Sequence, residues 1–434
     1  MSCLCFIVPP HLLRAIAQST HNTEDIRKRA QASLATHERM TGSLQDRGAT
    51  TVQSRRTACG ARFLPTPFIP QDVLTRLSMS PFVTECTRRR AARALSHLQV
   101  LEARRRVSQQ GMMICILQPL TPISLSCAEL AATYEDGESE ANDSPYRAVY
   151  DAKKSENEID LPGELVRAEG EARVGDKDVN LAYDNVGHVL SFYKDILGWR
   201  SLDNKNADVI SSVHFGDEYE NAFWDPEEMQ MVFGDGGEFL GNFTGCIDVI
   251  GHELAHAITE HTSPLDYYDQ SGALNEHVSD VFGIMVKQRV DNEKAVDADW
   301  LIGEGCLLPG VKGLALRSMK NPGKAYDDAR FGKDPQVDNM RHYERKYDDN
   351  GGVHIYSGIP NKAFYLAAVA FGGYSWERAG QIWWKAMTGG RVPPRCTFKQ
   401  FADVTVACAK DKFGEDAART VRKAWTDVGV FKTL

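Results

Sequence analysis

His252-Glu253-Leu254-Ala255-His256 constrains this chain more tightly than any other stretch. On a helix of about 3.6 residues per turn, positions four apart share a face, so the two imidazoles project side by side and Glu253 stands one residue round. Two such histidines supply most of a three-ligand zinc centre whose fourth position is left for water, and the missing ligand has to be a carboxylate or a histidine. The pattern alone also suits a pair of structural histidines, and the residues downstream of His256 decide between the two. Ser271-Gly272 offers a helix start, and Ala273–Phe282 carries apolar residues at helical spacing. Glu276 and Asp280 then lie one turn apart on a second helix. Glu276 becomes the third ligand, and Asp280 accepts the free N–H of a zinc histidine, fixing its tautomer. Asn275 joins Asp280 in the supporting layer. The longer motif HExxHxxGxxH is absent, because Thr259 stands at its glycine and His261 falls one position early.

From Tyr146 to Leu434 the chain resembles the thermolysin family of metallopeptidases. The resemblance is carried by Asn221-Ala222-Phe223-Trp224, the turn-rich Phe233–Gly237, the approach Gly245–Gly251 to the zinc helix, Gly313–Met319 and Asp349–Ile359. It implies an α+β fold in two lobes, with a β-rich N-terminal lobe (146–257, zinc helix included), a helical C-terminal lobe (258–434) and one catalytic zinc ion in the cleft. It also implies roles: Tyr267 and His354 as donors to the oxyanion, Asp349 holding His354, and Val249, Ile302, Leu316 and Arg317 around the pocket for the residue after the scissile bond. The expected activity is that of a neutral endopeptidase cutting polypeptides on the amino side of bulky apolar residues. The chemistry stands on the residues as well: zinc lowers the pKa of water, Glu253 is placed to take its proton, and the developing oxyanion and departing amine need donors. An extended peptide is expected to pair with main-chain groups of Asn221 and Ala222.

The secreted archetypes of that family carry a double calcium site, whose carboxylates match Asp248, Asp299 and Glu304 here. Two further positions are Lys287 and Leu301. A cluster that has exchanged carboxylates for an ammonium cannot neutralise two hard dications. The three acids are therefore expected to pair with Lys287, leaving open a single calcium elsewhere.

Phe6–Ala17 resembles the short pro-segment of the protealysin-like branch, with Pro9 and Pro10 extended and Leu12, Leu13 and Ile16 spaced for an amphipathic helix. Residues 1–50 are then an inhibitor of the chain's own cleft, removed by self-processing. Cys3 and Cys5 read as reduced thiols. Between residues 51 and 120 the composition breaks: eleven arginines, no lysine, three acids, and no tyrosine or tryptophan. Residues 1–120 carry 17 basic and 7 acidic side chains, leaving 33 and 52 for the rest. We read 51–145 as an Arg-rich disordered insert ending in an acidic linker. The alternative is a nucleic-acid-binding or interaction protein carrying a degenerate peptidase, but Glu253 and His354 are both retained. No apolar stretch reaches membrane length, Pro9 and Pro10 interrupt the one apolar run at the N-terminus, and the ten cysteines are scattered. These features point to a monomeric cytoplasmic enzyme without membrane or nucleic-acid partners, with non-conventional secretion as an open route.

Overall fold

A computed structural model describes residues 5–53, 144–157, 160–225, 229–346 and 349–432. Cys3, the Arg-rich runs and the acidic linker lie outside the described residues. In chain order, β1 (Cys5–Phe6) leads to α1 (Pro10–Gln18) and α2 (Glu24–Gln53). Next come β2 (Arg147–Asp151), β3 (Glu164–Ala168), α3 (Lys177–Leu197), β4 (Val209–Val213), β5 (Ala222–Asp225) and β6 (Gln230–Phe233). The helical part holds α4 (Ile247–Thr262) and α5 (Asp269–Asp291). The short strands β7 (Leu301–Ile302) and β8 (Arg317–Ser318) come after them, then α6 (Asp349–Tyr356), α7 (Gly358–Phe371), α8 (Ala379–Thr388), α9 (Phe398–Phe413) and α10 (Glu415–Asp427).

The sheet order is β1-β5-β6-β4-β2-β3, so the N-terminal segment supplies one edge strand. β2, β4 and β6 run parallel, while β1, β5 and β3 are antiparallel to their neighbours. This is the expected β-rich lobe, followed by the expected helical lobe. In α1, Pro9 is extended (φ −66°, ψ 147°), but Pro10 is already the first helical residue. That corrects the expectation of two extended prolines: a proline at the first helical position has no N–H to lose and a φ set for the helix. Leu12, Leu13 and Ile16 are buried, as their spacing requires. The second motif helix starts at Asp269 rather than at Ser271, because the Gly272 N–H already reaches the Tyr268 carbonyl (3.1 Å).

The crossing of α4 and α5 positions everything downstream. A Cβ at Gly283 would sit 2.4 Å from the Asp248 carbonyl oxygen, and one at Gly251 would sit 2.9 Å from Gly283 Cα. Only glycines let the two backbones approach this closely. In the helical lobe Trp383 and Trp425 stack with centroids 6.2 Å apart, and Phe364 meets Trp383 at 5.1 Å. Trp376 and Trp384 are buried too, while Phe371 is only partly covered.

Two polar clamps tie the lobes' loops. Lys287 Nζ lies 3.2 Å from Asp299 and 3.1 Å from Glu304, and donates to the Leu301 carbonyl at 3.4 Å. Asp248, expected in the same ion pair, instead accepts the Gly303 N–H at 2.6 Å, acting on the ammonium only through its field. The second clamp is His214, whose Nδ1 meets Asp235 at 2.5 Å and whose Nε2 meets Asp176, the N-cap of α3, at 2.9 Å. The Asp235 bond, helped by Asp176 and opposed by burial, raises its pKa from 6.5 to about 9.

Replacing Lys287 by alanine leaves three acids facing one another, and we expect about 1–3 kcal/mol less stability in urea unfolding. Because the folded pKa of His214 is the higher one, its stabilisation is complete below about pH 6.5 and is lost as pH rises through about 9. His214→Gln should flatten that part of the unfolding free energy against pH. A wild-type slope unchanged in the variant would remove His214 from the account.

Candidate active site

The glycine crossing sets the motif side chains of α4 against those of α5. His252 Nδ1 faces Asp280 Oδ1 at 2.8 Å, and His256 Nδ1 faces Asn275 Oδ1 at 2.8 Å, while the Asn275 amide donates to the Leu265 carbonyl. Both acceptors assign the imidazole protons to Nδ1, which leaves both Nε2 atoms as bare lone pairs. These two lone pairs lie 3.0 Å apart, and Glu276 oxygens lie 3.5 Å from one and 3.6 Å from the other. Three buried acceptors with no proton between them repel unless a cation joins them. Ligands about 2.0–2.1 Å from a tetrahedral zinc are about 3.3–3.4 Å from each other, close to the spacing seen here. His252, His256 and Glu276 therefore fit zinc. Burial holds His256 down to about 3, and although burial pushes Glu276 up, the imidazoles of His354, His252 and His256 hold it down to about 2. Both are in their ligating forms near neutral pH.

Glu253 is wholly buried one residue round from His252. Its Oε2 accepts the Trp224 N–H at 3.0 Å and its Oε1 has no partner. Burial, and then the nearby Glu276 charge, hold its pKa well above the usual carboxylate range. His354 is fixed on the far side by Asp349, which takes both its backbone N–H (3.1 Å) and its Nδ1 proton (2.7 Å). Its Nε2 has no hydrogen-bond partner and lies 3.5 Å from Glu276. Burial works against the imidazolium, but the Asp349 and Glu276 carboxylates outweigh it and raise the pKa to about 9. The turn that aims His354 needs Gly351 and Gly352 at φ +89° and +83°, and a Cβ on Gly351 would meet Asp269 at 3.0 Å. Tyr267 is placed differently from expectation. Its hydroxyl donates to Glu276, a metal ligand, rather than standing open for an oxyanion.

Asp280 gathers the rest. Besides His252 it accepts from Arg317 through two nitrogens (3.0 and 2.8 Å) and from the Asn361 amide at 2.8 Å. The Asn361 oxygen in turn receives His277 Nδ1 at 2.8 Å, and His277 Nε2 accepts the Trp383 indole N–H at 2.8 Å. Sequence reading missed Asn361 and His277, because nothing in their spacing marks two residues 84 positions apart as partners. Val249, Ile302 and Leu316 are buried at 0%, 0% and 4% exposure.

The edge strand expected to bind substrate is occupied by the chain itself. β1 pairs antiparallel with β5, Phe6 opposite Phe223 and Cys5 opposite Trp224. Ile7 N–H donates to the Ala222 carbonyl at 3.1 Å, and Arg317 donates to the Ile7 carbonyl at 3.2 Å. Val8 N–H donates to Asn221 Oδ1 at 2.8 Å, and the Asn221 amide returns a bond to the Val8 carbonyl at 3.2 Å. Asn221 thus works through its side chain, a correction to the main-chain pairing expected of it. Its own carbonyl faces inward to Gly234 N–H at 3.0 Å. His11 and His37 of the same segment are pushed down to about 4 by burial, within the field of Asp349 and His354.

Comparison with known proteins agrees with this geometry. Residues 124–260 match the model for the thermolysin metallopeptidase catalytic domain, and residues 263–430 match its alpha-helical domain. Protease PrtS of Photorhabdus sp. (strain Az29) is 48% identical over 292 residues, covering 67% of this chain and 77% of that protein. An extracellular metalloprotease of Pectobacterium carotovorum subsp. carotovorum is 47% identical over 285 residues (65% and 81%). The precursor of protealysin, a metalloproteinase from Serratia proteamaculans, superposes with a TM-score of 0.64 at 42% identity, over 84% of this chain and 99% of its own. With its zinc ligands in place and its N-terminal segment in the groove, the chain belongs to the thermolysin family of zinc metallopeptidases.

Proposed function

We propose that the chain is a neutral endopeptidase in which Glu253 is the general base, His354 the principal donor to the oxyanion, and residues 1–50 an inhibitor that enters the groove in substrate register through residues 5–8. One observation carries this reading: two buried polar atoms, Glu253 Oε1 and His354 Nε2, lack hydrogen-bond partners beside a cluster of three metal-ligating side chains. Unsatisfied buried polar atoms are costly, and both become satisfied by an attacking water and a tetrahedral oxyanion. His252, His256 and Glu276 would hold the zinc, which would supply Lewis acidity and lower the pKa of that water. The high pKa of Glu253 suits a carboxylate that takes a proton and passes it to the departing amine. His354, cationic near neutral pH because of Asp349, donates from Nε2. Tyr267 assists only by leaving Glu276 for the oxyanion. Asp280 and Asn275 orient the ligating histidines.

Burial of Val249, Ile302 and Leu316 beside Arg317 supports preference for a bulky apolar residue after the scissile bond. The intact constellation disfavours a degenerate domain with a binding role. Among the described residues no helix is long and apolar enough to cross a membrane.

Glu253→Gln should keep one zinc per chain while losing about 10²–10⁴-fold in kcat. Parallel loss of metal and activity would contradict the assignment. His354→Ala should keep its zinc and lose about 10²–10³-fold, mainly in kcat, so an unchanged kcat would remove His354 from the mechanism.

A further inference from the structure

We propose that the chain hydrolyses its own Phe6–Ile7 bond while the N-terminal segment is docked, leaving a new amino terminus at Ile7 in the groove. The proposal rests on the peptidase reading above and deepens it by naming a substrate bond. Four hydrogen bonds settle the register. Ile7 N–H is held by Ala222 (3.1 Å), the Ile7 carbonyl by Arg317 (3.2 Å), and both polar groups of Val8 by the Asn221 side chain (2.8 and 3.2 Å). Ile7 is 0% exposed, and its carbonyl is held by Arg317, the strand partner of Ile302. It therefore occupies the place of the residue after a scissile bond.

The bond before it lies where the chemistry is. In an antiparallel ladder hydrogen-bonded and non-hydrogen-bonded pairs alternate, so with Ile7 bonded to Ala222, Phe6 opposite Phe223 is a non-bonded pair. The Phe6 carbonyl is accordingly directed away from β5, off the outer edge of the sheet, where β1 is the last strand. Glu253 is anchored 3.0 Å from the amide of Trp224, the residue opposite Cys5, while Arg317 is anchored on Ile7. Base and guanidinium are thus anchored at the positions before and after Phe6. The Phe6 ring is held between Phe223 (centroids 5.3 Å) and His37 of α2 (4.1 Å), which keeps the bond in place from the other side.

In the step, the oxygen of one water adds to the Phe6 carbonyl carbon and the C–N bond to Ile7 breaks. One water proton ends on the Ile7 nitrogen by way of Glu253, and the other leaves from the new Phe6 carboxylic acid into solvent. No reactant besides water is consumed. The contacts of the Ile7 carbonyl and of Val8 lie wholly on the Ile7 side of the cut, as do the buried Leu12, Leu13 and Ile16 of α1. The clipped segment therefore stays docked, and cleavage is separate from release.

The test uses full-length wild type, Glu253→Gln and Ile7→Ala, incubated with zinc at protein concentrations spanning about tenfold, and read by intact mass and N-terminal sequencing. Wild type should acquire an N-terminus at Ile7 at a rate independent of concentration. Glu253→Gln should not acquire it, and Ile7→Ala should do so at least about tenfold more slowly, since methylenes missing from an apolar pocket cost about that much. A cut at a neighbouring bond, or a rate that grows with concentration, overturns the proposal. An unrelated quenched peptide assayed on the same wild-type sample separates the two readings. If that peptide is cut while Phe6–Ile7 stays intact, the proposal falls and the peptidase stands. If neither is cut, both fall.

Discussion

A single buried carboxylate, Asp280, holds the catalytic apparatus together. It is 0% exposed and accepts from His252, from two nitrogens of Arg317 and from Asn361. A charge removed from water in this way is tolerable only when it is fully paired, and each partner belongs to a different part of the molecule. His252 is on the zinc helix, Arg317 on a short strand that holds the Ile7 carbonyl, and Asn361 on a helix of the C-terminal lobe. Breaking any of these contacts would leave the others facing an uncompensated charge, so ligand orientation, peptide binding and lobe packing are energetically coupled. Arg317 takes part in two of these functions, since its remaining Nη1 is what holds the Ile7 carbonyl.

Docking of the N-terminal segment is a consequence of the same arrangement. A sheet edge with unpaired main-chain groups next to the catalytic cleft is a template for any extended peptide. The chain's own β1 reaches it first because it is covalently tethered and because α1 buries Leu12, Leu13 and Ile16 against the enzyme. The segment also brings His11 and His37 into the field of His354 and Asp349, and burial keeps them neutral there. The segment is thus fitted to the electrostatics of the site as well as to its shape. Lys287 likewise meets acids with side-chain charge, its ammonium lying 3.2 Å from Asp299 and 3.1 Å from Glu304.

The two motif helices and the gathering of His252, His256 and Glu276 into one metal-ligating cluster were legible from residue order, because helical periodicity maps spacing directly onto a face. His252 to His256 and Glu276 to Asp280 are local relations, and each survives any reasonable placement of the helices. The pro-segment helix was legible for the same reason, as were His354 and Asp349, five residues apart on one glycine turn. What linear order could not contain was which of several polar atoms on one residue does the work. Asn221 uses its amide because its carbonyl is bound to Gly234, Asp248 turns to the backbone of Gly303, and Tyr267 meets Glu276 instead of open space. The relay from His277 through Asn361 to Asp280 was likewise invisible, since it depends on how α5 and α7 pack.

The sequence by itself determined the metal chemistry, the family and the presence of a segment able to enter the cleft, because those rest on short-range spacing and on residue types that nothing else requires. The tertiary structure decided the register of that segment, the hydrogen-bond partner of each site residue and the convergence of three elements on Asp280. These are long-range choices, made by the close glycine crossing of α4 and α5 and by the rule that every buried charge and polar group must find a partner wherever packing leaves one.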